Sequence, residues 1–194
     1  MPTIYEPSED SYLMSEVLKK KIPKLLNKNP GLKFLEICCG SGINLQTAFE
    51  AGIKKENILG TDINSKAVKH CKSLGFNCIK SILFEAFKGR LIVKGNLVPL
   101  QFDVIVFNPP YLPIDKKEPK SSRVTTTGGL YGNELIIKFL KQAGKYLNRG
   151  GRIFIITSSL ARGVNFRGLG YKAKEVSSAN LFFEKLSVWE CLKI

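Results

Sequence analysis

The sequence predicts an α/β fold built on one mostly parallel sheet. Its 194 residues are enough for one substantial hydrophobic core. Short apolar runs alternate with segments of helical spacing over nearly the whole chain, which is typical of this fold class. Because no repeat, linker or low-complexity tract divides the sequence, we expect one three-layer domain over residues 1–194, with an N-terminal helix and lid segment over residues 1–30.

The first half of the chain alternates helices and strands. Apolar side chains recur on one helical face after residue 9, and Asn29-Pro30-Gly31 is a typical helix stop. A short apolar strand then leads into a glycine-rich turn and a second helix that ends near Gly52. The predicted elements are a helix over 9–27, a strand over 33–37, a helix up to 52, a strand over 57–61, a helix over 65–74 and a strand over 77–82.

The second half begins with the most apolar strand. The β-branched and aromatic run from Phe102 to Phe107 predicts a central strand buried on both faces, and Asn108-Pro109-Pro110-Tyr111 follows it directly. Residues 112–129 are polar and aperiodic, which predicts a functional loop. The remaining predictions are a helix over 135–147, a strand over 152–157, a turn or short helix over 159–168, and antiparallel strands over 171–178 and 182–192.

Charge predicts an acidic partner without naming it. Thirty Lys and Arg residues against sixteen Asp and Glu leave a net charge of +14. Nucleic acid, ribonucleoprotein and anionic lipid all attract such a surface. The sequence has no apolar run long enough for a membrane helix and no signal-peptide core at its start, so we expect a cytoplasmic protein that does not contact a membrane.

The cysteine pattern predicts no metal site. The five cysteines, Cys38, Cys39, Cys71, Cys78 and Cys191, include no Cys-x-x-Cys pair, which argues against a disulfide framework and a four-ligand zinc site. We therefore expect reduced, mostly buried thiols. The single histidine, His70, is expected to be structural.

Two candidate binding elements follow the first two strands. Ligands of an open parallel sheet bind beyond the carboxyl ends of the strands, where the strand order reverses. The Cys39-Gly40-Ser41-Gly42 turn lies at one such end, although glycine turns also commonly serve only to connect a strand to a helix. Asp62 ends the next strand, where an acidic side chain can accept both hydroxyls of a ribose or, alternatively, cap a helix.

The Asn108-Pro109-Pro110-Tyr111 turn is more specific. Two prolines after a core strand end its hydrogen-bond ladder and stiffen the turn, which fixes the directions of the Asn108 side chain and the Pro109 carbonyl. Such a turn can hold a planar amino group. A simple surface turn would not explain an asparagine followed by a stacking tyrosine at a ligand-binding edge.

Together these residues resemble class I S-adenosylmethionine-dependent methyltransferases. Within that class the chain is most similar to HemK-like protein-glutamine methyltransferases, in the short archaeal and eukaryotic form that modifies class-1 peptide release factors. The resemblance implies a Rossmann-like domain with a mostly parallel seven-stranded sheet and an antiparallel C-terminal hairpin, and S-adenosyl-L-methionine as cofactor. It rests on residues 5–11 (YEPSEDS), 36–42, 61–64, 102–111, 128–132 (GGLYG) and 186–188.

The resemblance also implies residue roles on the cofactor side. Glu36 and Gly40-Ser41-Gly42 would bind the methionine end of the cofactor, Asp62 its ribose, and Ser11 would cover the pocket. These assignments place the cofactor beyond the first two strands.

Two positions depart from the family pattern. Cys38 stands where the family usually has glycine. Ser81-Ile82-Leu83 stands where an acidic residue normally meets the adenine amino group, so adenine recognition at Ile82 and Leu83 would depend on backbone groups and apolar contacts.

The expected reaction is N5-methylation of the glutamine in the Gly-Gly-Gln motif of a release factor. Asn108 and the Pro109 carbonyl would accept hydrogen bonds from the glutamine NH2 and orient it toward the sulfonium methyl. Pro110 would stiffen the turn, and Tyr111 would pack against the substrate. Because positioning and electrostatics can supply most of the effect, no general base is needed before the transition state.

Two alternative functions use the same fold. Adenine-N6 methylation of DNA or RNA would place another planar amino group in the turn, although the chain's length leaves little room for duplex recognition. A non-catalytic basic RNA-binding module is the other. Direct nucleic-acid binding remains a secondary expectation.

A protein partner is also expected. By resemblance, the short form pairs with a small zinc-containing activator along the sheet edge near the third strand, as a heterodimer. Phe84 and Phe87 could either serve that contact or belong to the core.

Overall fold

The computed structural model of the chain describes residues 4–87, 91–93, 96–98, 100–115, 117, 119 and 126–194. The helices among these residues are α1 (Glu9–Leu26), α2 (Ile43–Glu50), α3 (Ser65–Ser73) and α4 (Glu134–Ala143). The strands are β1 (Phe34–Ile37), β2 (Ile58–Asp62), β3 (Asn77–Lys80), β4 (Leu91–Val93), β5 (Asn96–Val98), β6 (Phe102–Phe107), β7 (Leu112–Pro113), β8 (Thr127–Gly129), β9 (Leu147–Ser158), β10 (Tyr171–Leu181) and β11 (Glu184–Lys193).

Seven strands form the main sheet, in the order β10-β11-β9-β6-β1-β2-β3. The strands from β9 to β3 in this order are parallel, and β11 runs antiparallel to both β9 and β10. The predicted fold class is therefore confirmed. The strand order reverses between β1 and β6, where Ile37 lies opposite Phe107. This register brings the glycine-rich turn after β1 next to Asn108 after β6.

The hydrophobic core lies on both faces of the sheet. Along β6, Val104 and Val106 pack on the face covered by α1, α2 and α3, whereas Ile105 and Phe107 pack on the face covered by α4. Successive side chains of a strand point to opposite faces, so a strand covered on both sides needs apolar residues at every position. Burial on both faces therefore explains why the sequence of β6 is a continuous apolar run.

The structure corrects several predicted bounds. α4 ends at Ala143, and β9 already begins at Leu147, before the glycine pair that obscures its apolar pattern. The β4–β5 hairpin was not predicted. Inside the predicted loop, β7 pairs with β8, while residues 116, 118 and 120–125 of that loop lie outside the described residues.

Phe84 and Phe87 belong to the core. Both are buried on the α4 side of the sheet. The Phe84 ring stacks on Tyr146 with 4.6 Å between centroids, which removes it from any partner contact. Of the described helices, none is long and apolar enough to cross a membrane.

Candidate active site

A cavity of about 150 Å³ opens at the carboxyl ends of β1, β2 and β6, beside the reversal of strand order. Glycine turns, strand ends and the start of α1 meet there. Most of the residues predicted for the site line it: Ser11, Glu36, Cys38, Gly40, Ser41, Asp62, Asn108, Pro109, Pro110 and Tyr111. Tyr5, Asp10, Asn44 and Ile63 also line the cavity and were not predicted.

Three predicted residues do not line the cavity. Gly42 has φ +81°, and a Cβ built on it would point toward Cys71 Sγ at 3.0 Å, so it shapes the turn. The Leu83 side chain is buried in the α4-side core, and the Ile82 side chain is 45% exposed. A side-chain contact from Leu83 to adenine is therefore corrected to a core contact, while backbone contacts at these two residues stay a prediction.

Cys38 occupies its unusual position at a conformational cost. Its φ is +62°, in the left-handed region that costs an L-residue with a side chain about 1–2 kcal/mol. Its side chain packs against the α4-side core, and burial raises the pKa of its thiol. The backbone thus keeps the shape that glycine would adopt freely.

Two buried carboxyl groups line the cavity at the carboxyl ends of β1 and β2. Asn44 Nδ2 donates to Glu36 Oε1 at 2.8 Å, while Glu36 Oε2 has no hydrogen-bond partner among the described residues. Asp62 accepts from the backbone N–H groups of Gly40 at 2.9 Å and Asn64 at 2.7 Å. Burial is the main cause that raises the pKa of both carboxyl groups.

These carboxyl groups fit a ligand that carries positive charge and hydroxyl donors. A carboxylate oxygen has two lone pairs, so each Asp62 oxygen can accept a second hydrogen bond. The unpartnered Glu36 oxygen leaves a buried acceptor whose desolvation is uncompensated. A cation bound nearby would offset the cost of burying both carboxyl groups in their ionised forms.

On the other side of the cavity, Asp10 fixes the side-chain amide of Asn108. Asn108 Nδ2 donates to Asp10 Oδ2 at 3.1 Å, and Asn108 Oδ1 is buried without a hydrogen-bond partner among the described residues. Since a carboxylate can only accept, the NH2 group of the asparagine must face it. The amide oxygen is thereby left as an acceptor.

Asp10 joins the start of α1 to the turn after β6. Its buried carboxylate accepts from the Tyr5 hydroxyl at 3.1 Å, the Tyr111 hydroxyl at 3.3 Å and the Ser11 backbone N–H at 2.6 Å. Burial and then the nearby Asp10 raise the pKa of both tyrosines, so they stay protonated donors. The sequence signal that could have identified Asp10 is an acidic residue on the apolar face of α1.

The chain resembles known methyltransferases over different spans. Residues 83–178 match the family model of the Eco57I restriction-modification methylase. A provisionally named protein N5-glutamine methyltransferase of Methanocaldococcus jannaschii is 34% identical, and the match covers 96% of this chain and 90% of the relative. The eRF1 methyltransferase catalytic subunit mtq2 of Schizosaccharomyces pombe is 27% identical over 79% of this chain and 71% of its own.

Solved structures share the fold. A chain of the E. cuniculi Mtq2–Trm112 complex, which is responsible for methylation of the eRF1 termination factor, superposes with a TM-score of 0.64 at 20% identity and covers 98% of both chains. The sheet order and the cavity at its reversal fit the class I fold, and the 34% identical relative makes the chain an S-adenosylmethionine-dependent methyltransferase. When bound, the cofactor supplies an electrophilic methyl group on a positively charged sulfur.

Within that class, the chain belongs to the protein N5-glutamine methyltransferases. The M. jannaschii relative carries this assignment, because its identity extends over nearly the whole length of both chains.

Proposed function

We propose that the protein methylates N5 of the glutamine in the Gly-Gly-Gln motif of a class-1 peptide release factor. The observation that carries the proposal is the buried, unpartnered Asn108 Oδ1 at the cavity, held in place by Asp10. A primary amide offers two N–H donors, and Asn108 Oδ1 and the Pro109 carbonyl can accept them. The eRF1 substrate named for the S. pombe relative supports a release factor as the target.

The chemical difficulty is the weak nucleophilicity of an amide nitrogen, whose lone pair is delocalised. Two acceptors on the NH2 group fix the nitrogen in line with the methyl group and stabilise positive charge as it develops there. Asp10, hydrogen-bonded behind Asn108, polarises the asparagine amide and strengthens its oxygen as an acceptor. The amide nitrogen would release its surplus proton to solvent only after methyl transfer, so no general base is required earlier.

The turn itself contributes rigidity. Pro109 and Pro110 keep the backbone fixed after β6, and Tyr111 is anchored by its hydroxyl to Asp10. The face of the Tyr111 ring then supports the aliphatic part of the substrate glutamine.

The proposed cofactor contacts come from the first two strands. Glu36 and the Gly40-Ser41 turn hold the methionine end, and Asp62 holds the ribose hydroxyls. Ser11 covers the pocket from the start of α1, and Tyr5, which precedes this helix, also reaches the cavity. The unpartnered Glu36 oxygen and the spare lone pairs of Asp62 support this placement.

We further propose that a small activator protein pairs with β3. This strand ends the sheet order, and among the described residues no strand pairs with its outer side. Ile79 on β3 is 41% exposed, and Leu74 and Ile82 beside it are exposed as well. The Mtq2–Trm112 complex supports such a partner, and the zinc content of the activator stays a prediction from the resemblance.

One observation favours a second candidate function. The match to a restriction-modification methylase covers residues 83–178, which include the Asn108-Pro109-Pro110-Tyr111 turn, and methylation of an adenine amino group would use the same acceptors. The relative that is similar over nearly the whole chain favours a protein substrate instead. Membership in an enzyme family disfavours the non-catalytic RNA-binding alternative.

The deciding experiment offers both substrates to the enzyme. A purified class-1 release factor, or a DNA duplex, is incubated with the protein and S-adenosylmethionine, with and without the activator, and the products are analysed by mass spectrometry. We expect one methyl group on the Gly-Gly-Gln glutamine and none on the matched release factor with alanine at that position. Methylated adenine with an unmodified release factor would overturn the proposal.

A further inference from the structure

Three cysteine thiols that are far apart in sequence meet beneath the glycine turn. Cys39 lies in the turn after β1, Cys71 on α3 and Cys78 on β3, and all three are buried. Their Sγ atoms lie within 4.8 Å of one another, and Cys71 Sγ is 3.7 Å from Cys39 Sγ. Their spacing in the sequence matches no metal-binding motif, which is why the sequence predicted no site here.

Two glycines leave the space that these sulfur atoms occupy. A Cβ built on Gly60 would lie 2.8 Å from Cys78 Sγ, and one built on Gly42 would lie 3.0 Å from Cys71 Sγ. The backbone of β2 and the turn therefore approach the sulfur atoms directly. Any larger residue at Gly60 would displace the thiol of Cys78.

The donor set matches a soft cation. A metal–sulfur bond of about 2.3 Å in a trigonal plane puts the sulfur atoms about 4 Å apart, which the Sγ separations can satisfy with small rotamer adjustments. Thiolates select Cu(I) and Zn(II) over hard cations. A structural zinc ion needs a fourth ligand, and the candidate cluster among the described residues supplies three.

We propose that Cys39, Cys71 and Cys78 form a three-thiolate site that binds one Cu(I) ion. Each thiol that becomes a ligand releases its proton to solvent, and the metal keeps its oxidation state. Cys39 lines the cavity, but none of the three ligands belongs to the amide-binding turn, so the metal site does not depend on the proposed function.

The site has a consequence for cofactor binding, and this consequence rests on the proposed cofactor contacts. The Cys71 thiol donates to the Gly40 carbonyl at 3.6 Å, and the Gly40 N–H donates to Asp62. A metal-bound thiolate can no longer donate, so Gly40 loses a contact that holds the turn. Since coupling between two binding sites is reciprocal, Cu(I) and S-adenosylmethionine should each weaken the binding of the other.

The test is an anaerobic titration of the reduced full-length protein with Cu(I), in competition with a chromophoric Cu(I) chelator. We expect one equivalent bound per chain, at least tenfold weaker binding in Cys71→Ser and Cys78→Ser, and wild-type binding in Cys191→Ser, whose buried cysteine lies outside the cluster. Wild-type protein that competes no better than Cys71→Ser overturns the proposal. Zinc binding without copper binding overturns the three-ligand assignment.

A spectroscopic measurement keeps the test independent of variant folding. X-ray absorption of the wild-type Cu(I) adduct should show three sulfur neighbours at one distance, and fewer sulfur neighbours would refute the site. Calorimetry of S-adenosylmethionine with and without Cu(I) then tests the coupling. Metal binding with unchanged cofactor affinity would refute the coupling alone and leave the metal site standing.

Discussion

The two sides of the active-site cavity are assembled differently. The side at the ends of β1 and β2 is called the cofactor side here, after its proposed role. There, Glu36 and Asp62 take their hydrogen bonds from the turns and helix starts that directly follow these strands. The opposite side, at the turn after β6, is called the amide side. There, the Asn108 side chain is oriented by a hydrogen bond to Asp10, which is 98 positions away in the sequence. The carboxyl groups proposed to hold the cofactor are thus positioned within one β-α-β unit, whereas the amide acceptor proposed for methyl transfer is positioned by α1. Changes on the two sides should therefore separate cofactor affinity from the rate of transfer.

The largest expected effect is on the amide side. Asn108→Ala removes the acceptor proposed to orient the substrate nitrogen, and we expect single-turnover methyl transfer to fall about 100- to 1,000-fold. Cofactor affinity, measured by calorimetry, should stay close to the wild-type value. Wild-type transfer by a variant that binds cofactor normally would contradict the assigned mechanism.

The corresponding change on the cofactor side should act on affinity. Asp62→Asn replaces the charged acceptor proposed for the ribose hydroxyls, and the loss of charged hydrogen bonds predicts a Kd for S-adenosylmethionine that is about 10- to 100-fold higher. Transfer at saturating cofactor should change much less. Glu50→Gln, an exposed acidic residue at the end of α2, is the matched control. Equal loss of affinity in both variants would point to net charge rather than to the site.

Asp10 tests whether the amide side depends on α1. In Asp10→Asn the new side chain can donate or accept, so the Asn108 amide is free to turn its oxygen away from the substrate. A misoriented acceptor should lower kcat about tenfold, with the KM for the cofactor unchanged. The neighbouring exposed Glu9→Gln is the control. A higher cofactor KM at unchanged kcat would assign Asp10 to the cofactor side instead.

A pH titration gives a smaller, graded effect on the cofactor side. Burial raises the pKa of Glu36 and Asp62, so these groups take up protons at a higher pH than free carboxyl groups, whose pKa is about 4. Because the ionised forms attract the cationic cofactor, affinity should be highest above the raised pKa and fall as the pH drops through it. Calorimetry from neutral to mildly acidic pH measures this, and Asp62→Asn should show a shallower decline. Affinity that increases toward acidic pH would contradict the assignment.

The smallest expected effect concerns the backbone at Cys38, in the glycine-rich turn after β1. Cys38→Gly relieves the strain of φ +62°, about 1–2 kcal/mol, but adds backbone freedom to the unfolded chain worth about 0.5–1 kcal/mol. We expect a net gain in the free energy of unfolding of about 0 to 1.5 kcal/mol, seen as a higher urea midpoint. A clear loss of stability would mean that the packing of the Cys38 side chain outweighs its strain.

The same local and long-range distinction explains what the sequence could predict. The sheet, the turn after β1 and the turn after β6 follow from apolar periodicity and from glycine and proline chemistry, all of which are local. Packing between separate elements brings Asp10 to Asn108 and brings together Cys39, Cys71 and Cys78. The residue pattern within one segment does not predict such contacts. β9 was predicted too short because Gly150-Gly151 interrupt its apolar pattern, while the ladder to β6 and β11 carries the strand through.

The outer edge of β3, which pairs with no strand among the described residues, also governs how the protein should behave at high concentration without a partner. An exposed strand edge can pair with the edge of a second molecule. The net charge of +14 opposes that contact by mutual repulsion, but repulsion between exposed charges is screened over about 10 Å at 0.1 M salt. Added salt should therefore promote self-association of the isolated chain even as it weakens binding to acidic molecules. Low ionic strength is thus the condition in which the unpartnered protein should stay monodisperse.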